Sequence, residues 1–128
     1  MHKLALLGIV LLLTIAVAST AGAVTKKAGD YTVDVTMDKN PPVMGKNTVE
    51  IGVKDKMGKG VTDARVTVEY SMPGMPGMPA MSYKSDAELK GGTYRAVISP
   101  SMAGSWNVAI KVTRSGKTDT ARLTIDVK

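Results

Sequence analysis

The chain has 128 residues, with 17 Lys and Arg against 11 Asp and Glu, a net charge of +6, only 4% aromatic residues, no cysteine and one histidine. That length suits one domain with a modest core. The lack of cysteine excludes disulfides and a Cys/His catalytic set, and once His2 leaves with the N-terminal segment described next, a Ser/His/Asp set and zinc sites of the usual nitrogen and sulfur ligands are excluded too. Basic residues are scattered, the longest run being Lys26-Lys27. Nucleic-acid binding needs clustered charge and stacking aromatics, so no nucleic-acid partner is expected.

A short basic start, His2-Lys3, precedes an apolar run from Leu4 to Val17, and small residues follow at Ala21-Gly22-Ala23, with Ala16-Val17-Ala18 as an earlier alternative. This is the pattern of a cleaved signal peptide over residues 1–23, and it places residues 24–128 in an exported, periplasmic or extracytoplasmic domain. The run falls short of the roughly 20 residues that cross a bilayer. Membrane attachment is therefore expected only if the segment stays uncleaved as an anchor. Removing it takes away Lys3 and His2, so the mature domain keeps one positive charge fewer and has no imidazole at all.

From Tyr31 the apolar residues alternate as in half-buried strands. Tyr31, Val33, Val35 and Met37 form one set, ended by Asn40-Pro41-Pro42; Val49, Ile51 and Val53 form the next, closed by the turn Asp55–Gly60. Ala64, Val66, Val68 and Tyr70 follow, in phase with Met72. Tyr83–Leu89 reads as a weaker strand; Tyr94, Ala96 and Ile98 form another, ended by Pro100. Trp106, Val108, Ile110 and Val112 precede the turn at Ser115-Gly116, and Ala121, Leu123, Ile125 and Val127 close the chain. Seven short strands with turns at this spacing predict an all-β, immunoglobulin-like antiparallel sandwich, with a small open barrel as the alternative. The inward phase gives a core of Val33, Val35, Val49, Ile51, Val66, Val68, Ala96, Ile98, Trp106, Val108, Ile110, Leu123 and Ile125.

The chemistry concentrates in the loop 72–81, Met-Pro-Gly-Met-Pro-Gly-Met-Pro-Ala-Met, with methionine at every third position. Its proline and glycine exclude a helix or a central strand. Thioether sulfur is a soft, neutral ligand that selects Cu(I) or Ag(I) over harder ions. It needs no deprotonation, and it cannot form a disulfide in an oxidising compartment. Pro73-Gly74 and Pro76-Gly77 each fit a type II turn, which would bring Met72 toward Met75 and Met75 toward Met78. An extended polyproline ribbon would instead hold them about 9 Å apart. The candidate ligands are Met72, Met75, Met78, Met81 and Met102, with Met44 a further possibility. The competing reading is a greasy surface for a protein partner, since methionine also serves adaptable interfaces. Trp106 can cover a bound cation with its ring face, but its strand phase favours the core. The carboxylates sit singly in the sequence, and an enzyme is not expected.

Four blocks carry a family resemblance: Gly58-Lys59-Gly60-Val61 with Ala64-Arg65-Val66, Met72-Pro73-Gly74-Met75, Gly91-Gly92-Thr93-Tyr94, and Met102-Ala103-Gly104-Ser105-Trp106. Together they resemble the YtkA-like domain, a family related to FixH-like proteins. The resemblance implies an exported immunoglobulin-like sandwich, often in the company of heavy-metal efflux or copper-handling systems, and no catalysis. An envelope metal-efflux or oxidase-assembly protein is the expected partner. By position, the family's two methionine blocks fall on Met72 and Met75 and on Met102 and Trp106. The first expectation is checked by intact mass: the exported protein should begin at or near Val24, whereas a product that retains Leu4 to Val17 and sediments with membranes would mark an anchor.

Overall fold

The structure, a computed structural model, describes residues 23–128, so the signal peptide expected over residues 1–23 lies, but for Ala23, outside the described residues. Among the described residues nine strands follow one another with no helix: β1 (Val24–Ala28), β2 (Tyr31–Met37), β3 (Asn47–Lys54), β4 (Arg65–Met72), β5 (Met81–Asp86), β6 (Glu88–Lys90), β7 (Thr93–Ile98), β8 (Gly104–Arg114) and β9 (Lys117–Val127). They form two sheets, ordered β1-β2-β3-β7-β6 and β5-β4-β8-β9. Every hydrogen-bonded pair is antiparallel. With β1 set aside, these are the ABED and C′CFG orders of an immunoglobulin-like sandwich. The barrel alternative does not hold.

Alternation drives the packing. Val49, Ile51 and Val53 of β3 face Val66, Val68, Tyr70 and Met72 of β4 across the core, while intervening residues face outward. Every expected core residue is buried except Leu123, which is half-buried. Leu123 sits on the edge strand β9 and lines a cleft beside Val24 of β1, so its cover is incomplete.

Two elements depart from the seven-strand expectation. β1 shows no alternation and is exposed until Ala28, because it is held by backbone pairing to β2 and not by burial. Its Lys26 and Lys27 guard an edge of the first sheet. The stretch read as one strand, Tyr83–Leu89, is two. At Ala87 the chain crosses between sheets, its N–H bonding to Val66 O at 2.9 Å, so that β5 pairs with β4 and β6 with β7.

Three buried aromatic side chains tie connections to the core through their polar tips. Trp106 Nε1–H donates to Met102 O at 2.9 Å. The Tyr70 hydroxyl accepts from Ser99 N–H at 3.0 Å. The Tyr94 hydroxyl donates to Val61 O at 3.0 Å and accepts from Ala64 N–H at 3.1 Å. Asn47, fully buried, does the same for the β2–β3 connection: Oδ1 accepts from Val43 N–H at 3.0 Å, and Nδ2 donates to Val43 O at 2.7 Å and to Gly45 O at 2.9 Å.

The register predicts opposite outcomes for neighbours. Val108→Asp buries a charge and should abolish cooperative folding, while Asn107→Asp, facing solvent, should leave the melting curve unchanged. Asn47→Leu keeps the branched side-chain skeleton but strands the Val43 backbone groups and Gly45 O, and should cost about 2–3 kcal/mol in chemical denaturation.

Candidate thioether site at one end of the sandwich

β4 and β5 continue beyond their sheet as a narrow hairpin. Met72, the last residue of β4, lies opposite Met81, the first of β5. The same register carries on to an isolated bridge between Met75 and Met78. These two exchange both backbone hydrogen bonds, Met75 N–H to Met78 O at 2.9 Å and Met78 N–H to Met75 O at 2.8 Å. The turn between them is Pro76-Gly77, with Gly77 at φ 81°. Proline second and a left-handed glycine third make the type II turn that the spacing implied.

The other expected turn is absent. Gly74 has no positive φ. It belongs to an extended arm running beside Pro79-Ala80, so close that a Cβ on Gly74 would lie 3.2 Å from Ala80 N and 3.4 Å from Met78 O. Glycine serves the approach of two backbones here. Prolines at 73, 76 and 79 offer no N–H, so the Met75–Met78 pair supplies the backbone bonding beyond the Met72–Met81 rung.

The structure therefore gathers the four loop methionines as two rungs. A spacing of three along an extended ribbon carries the second rung to the face opposite the first. Their surroundings differ accordingly: Met72 is only 5% exposed and Met81 is partly buried against the core, whereas Met75 and Met78 are 48% and 37% exposed. Met72 is itself part of the core, since its phase in β4 continues that of Tyr70.

Met102 lies in the β7–β8 connection, partly buried against the same core. This connection and the first residue of β8 touch the inner rung on both sides. Ser101 Oγ–H donates to Met81 Sδ at 3.3 Å, and Gly104 faces Met72 so closely that a Cβ there would be 3.1 Å from its methyl carbon. Met44 is exposed on the β2–β3 connection and joins this end through Met44 N–H to Lys128 O at 3.3 Å. Next to it, Gly45 N–H bonds to Pro100 O at 3.0 Å. Met57, in the turn after β3, is the one described methionine at the opposite end.

Beneath the inner rung, the rings of Tyr70, Tyr83 and Trp106 form a triangle with centroids 5.5, 5.9 and 6.1 Å apart. Trp106 is fully buried, which settles it as core. Ser101 and Tyr83, whose hydroxyls are 3.5 Å apart, are site neighbours that the sequence did not reveal. Ser101 sits in a connection without periodicity, and nothing in the sequence marks its contact with Met81. Charge is sparse among the methionines themselves. On the neighbouring β2–β3 connection, the Thr48 N–H bond holds the Asp38 carboxyl below its usual pKa, with Lys39 adding to the effect. The anchoring Asp38 provides is thus complete above the ordinary carboxylate pKa of about 4, and is lost as pH falls through the lower folded value. Among the described residues, no three of His, Cys, Asp or Glu converge to hold a metal ion.

An all-β immunoglobulin-like domain carrying a methionine hairpin at one end is the class that fold and site define. The sequence profile described as YtkA-like matches residues 25–111, and the chain belongs to that family. A search of curated proteins found no match. Among solved structures, the fold is similar to that of the PmoD soluble domain from Methylocystis sp. ATCC 49242 (Rockwell), with a TM-score of 0.54 and 12% identity. That alignment covers 81% of this chain and 97% of the other.

The turn geometry predicts that Gly77→Val, which forces a branched side chain into a left-handed position, opens the tip. Cross-ribbon nuclear Overhauser contacts between Met75 and Met78 should vanish while the Trp106 fluorescence of the folded core persists.

Proposed function

We propose that this domain is an exported soft-metal-binding protein that holds Cu(I) or Ag(I) through the methionines of the β4–β5 hairpin, and that it buffers the ion or delivers it to an envelope metal-efflux or oxidase-assembly partner. The observation that carries this reading is the hairpin register, which sets Met72 directly against Met81 and Met75 directly against Met78. Opposed residues of an antiparallel pair project to the same side with α-carbons about 5 Å apart, close enough for two thioethers to grip one ion. Met102 is the fifth candidate ligand, in the connection that touches the inner rung.

Membership of the YtkA-like family supports an exported, copper-associated setting. A non-enzymatic role fits a mature domain with neither cysteine nor histidine. Neutral donors also fit an end of the molecule where no acidic cluster gathers among the described residues. Harder ions, which want carboxylate or carbonyl oxygens, have little to recruit there.

The exposure of Met75, Met78 and Tyr83 favours one competing reading, a metal-free docking surface. Leucine separates the two. A triple Met72→Leu, Met75→Leu, Met78→Leu variant keeps volume and apolar character, so a docking face should survive it. In anaerobic competition titrations the parent should bind Cu(I) and Ag(I), and the triple variant should lose affinity by roughly a hundredfold or more while keeping its fold. Equal binding by both proteins, or none by the parent, would leave docking as the function.

A further inference from the structure

The two rungs share a register but occupy different environments, and this difference assigns them different tasks. The inner rung is held in place: Met72 is packed into the core, Met81 rests against it, and the Met81 sulfur already accepts a hydrogen bond from Ser101. Ligands fixed by packing lose little freedom when an ion arrives, which favours tight holding. The same packing hinders entry, because an ion reaching Met81 must first displace the Ser101 hydroxyl.

The outer rung has the reverse properties. Met75 and Met78 are about half exposed at the end of arms whose prolines donate no hydrogen bonds, and only their own mutual pair laces the ribbon there. A site of two exposed thioethers is open to an incoming ligand and equally open to loss. Three residues of extended chain separate the rungs, about 10 Å between α-carbons. Because the rungs face opposite sides of the ribbon, the ion passes around its edge, which long, flexible methionine side chains from both rungs can reach.

Resting on the metal reading above, we propose that Met75 and Met78 form an exchange pair, distinct from the holding group around Met72 and Met81. The pair takes a monovalent soft cation from a donor that presents thioether or thiolate sulfur and passes it inward, and delivery runs the same path in reverse. No redox step is involved. The ion stays monovalent, and each sulfur–metal bond formed at the receiving rung replaces one broken at the giving rung, with Ser101 O–H released from Met81 as the ion arrives.

Such an exchange pair is read first in the rates of loading and removal. The test uses the exported protein, Cu(I) supplied and withdrawn by a chromophoric Cu(I) chelator in anaerobic stopped flow, and separate equilibrium titrations. In the Met75→Leu/Met78→Leu variant, loading and removal should both slow by about tenfold or more, so that the loss of the outer pair is read as slower exchange and not as faster release. Met81→Leu should do the opposite, lowering affinity by about tenfold while the initial capture rate stays as in the parent. If the tip variant loses affinity through faster release, the tip is itself the holding site and the assignment is overturned. Unchanged rates in that variant overturn it too, while leaving metal binding intact. A parent that binds no ion in the titration overturns the metal reading itself, and this inference with it.

Discussion

The register in which β5 returns along β4 is the constraint on which the methionine end depends. Once Met72 is set against Met81, the chain between them continues in the same register to a two-residue turn, and Met75 meets Met78. The phase of β4 is itself enforced from below. Val66, Val68, Tyr70 and Met72 occupy the inward side of β4, and a slip of one residue would turn all four toward solvent. The core thus positions the hairpin, and the thioethers at its base are part of that core.

A second layer of control comes from the connections at the same end. Met102 is fixed through its carbonyl by the Trp106 indole, and Ser99 through its N–H by the Tyr70 hydroxyl. The β7–β8 connection is therefore fastened at two points, and Ser101 between them is presented to Met81. Asn47 fastens the β2–β3 connection, and Gly45 in turn bonds to Pro100. Buried polar tips with satisfied partners stiffen loops that would otherwise be the least ordered parts of a sandwich. Soft-metal ligands need such support, because thioethers have no charge with which to organise their own surroundings.

Much of this was legible in the sequence because strand alternation is a strong signal wherever one face is buried. Val49, Ile51, Val66, Val68, Val108 and Ile110 were placed by phase alone. The signal failed where burial did not set the structure. β1 is held by backbone bonds with exposed side chains, so no apolar period announces it. The crossing at Ala87 was hidden because β5 and β6, on the sheets' edges, are largely exposed and their alternation is weak. Ser101 was invisible for a different reason: its contact with Met81 joins residues 20 apart through two loops, and no local pattern encodes it.

The loop itself shows how a periodic sequence can carry two structural meanings. A repeat of three matches the three residues per turn of a polyproline helix, where Met72, Met75, Met78 and Met81 would line a single stripe. On a β-ribbon, whose side chains alternate with a period of two, the same repeat sends Met72 and Met75 of one arm, and Met78 and Met81 of the other, to opposite faces. Proline is compatible with both backbones, so composition alone does not choose between them. The choice falls to the ends of the repeat. Met72 is committed to the core by the phase of β4, and Met81 opens a strand that pairs with β4, so the intervening residues must fold back antiparallel and the stripe is split into pairs. The inner pair inherits the rigidity of the sandwich, while the outer pair has only the turn at Pro76-Gly77 to hold it. A single sequence repeat thereby yields two sulfur environments of different exposure and stiffness, a few residues apart on one ribbon.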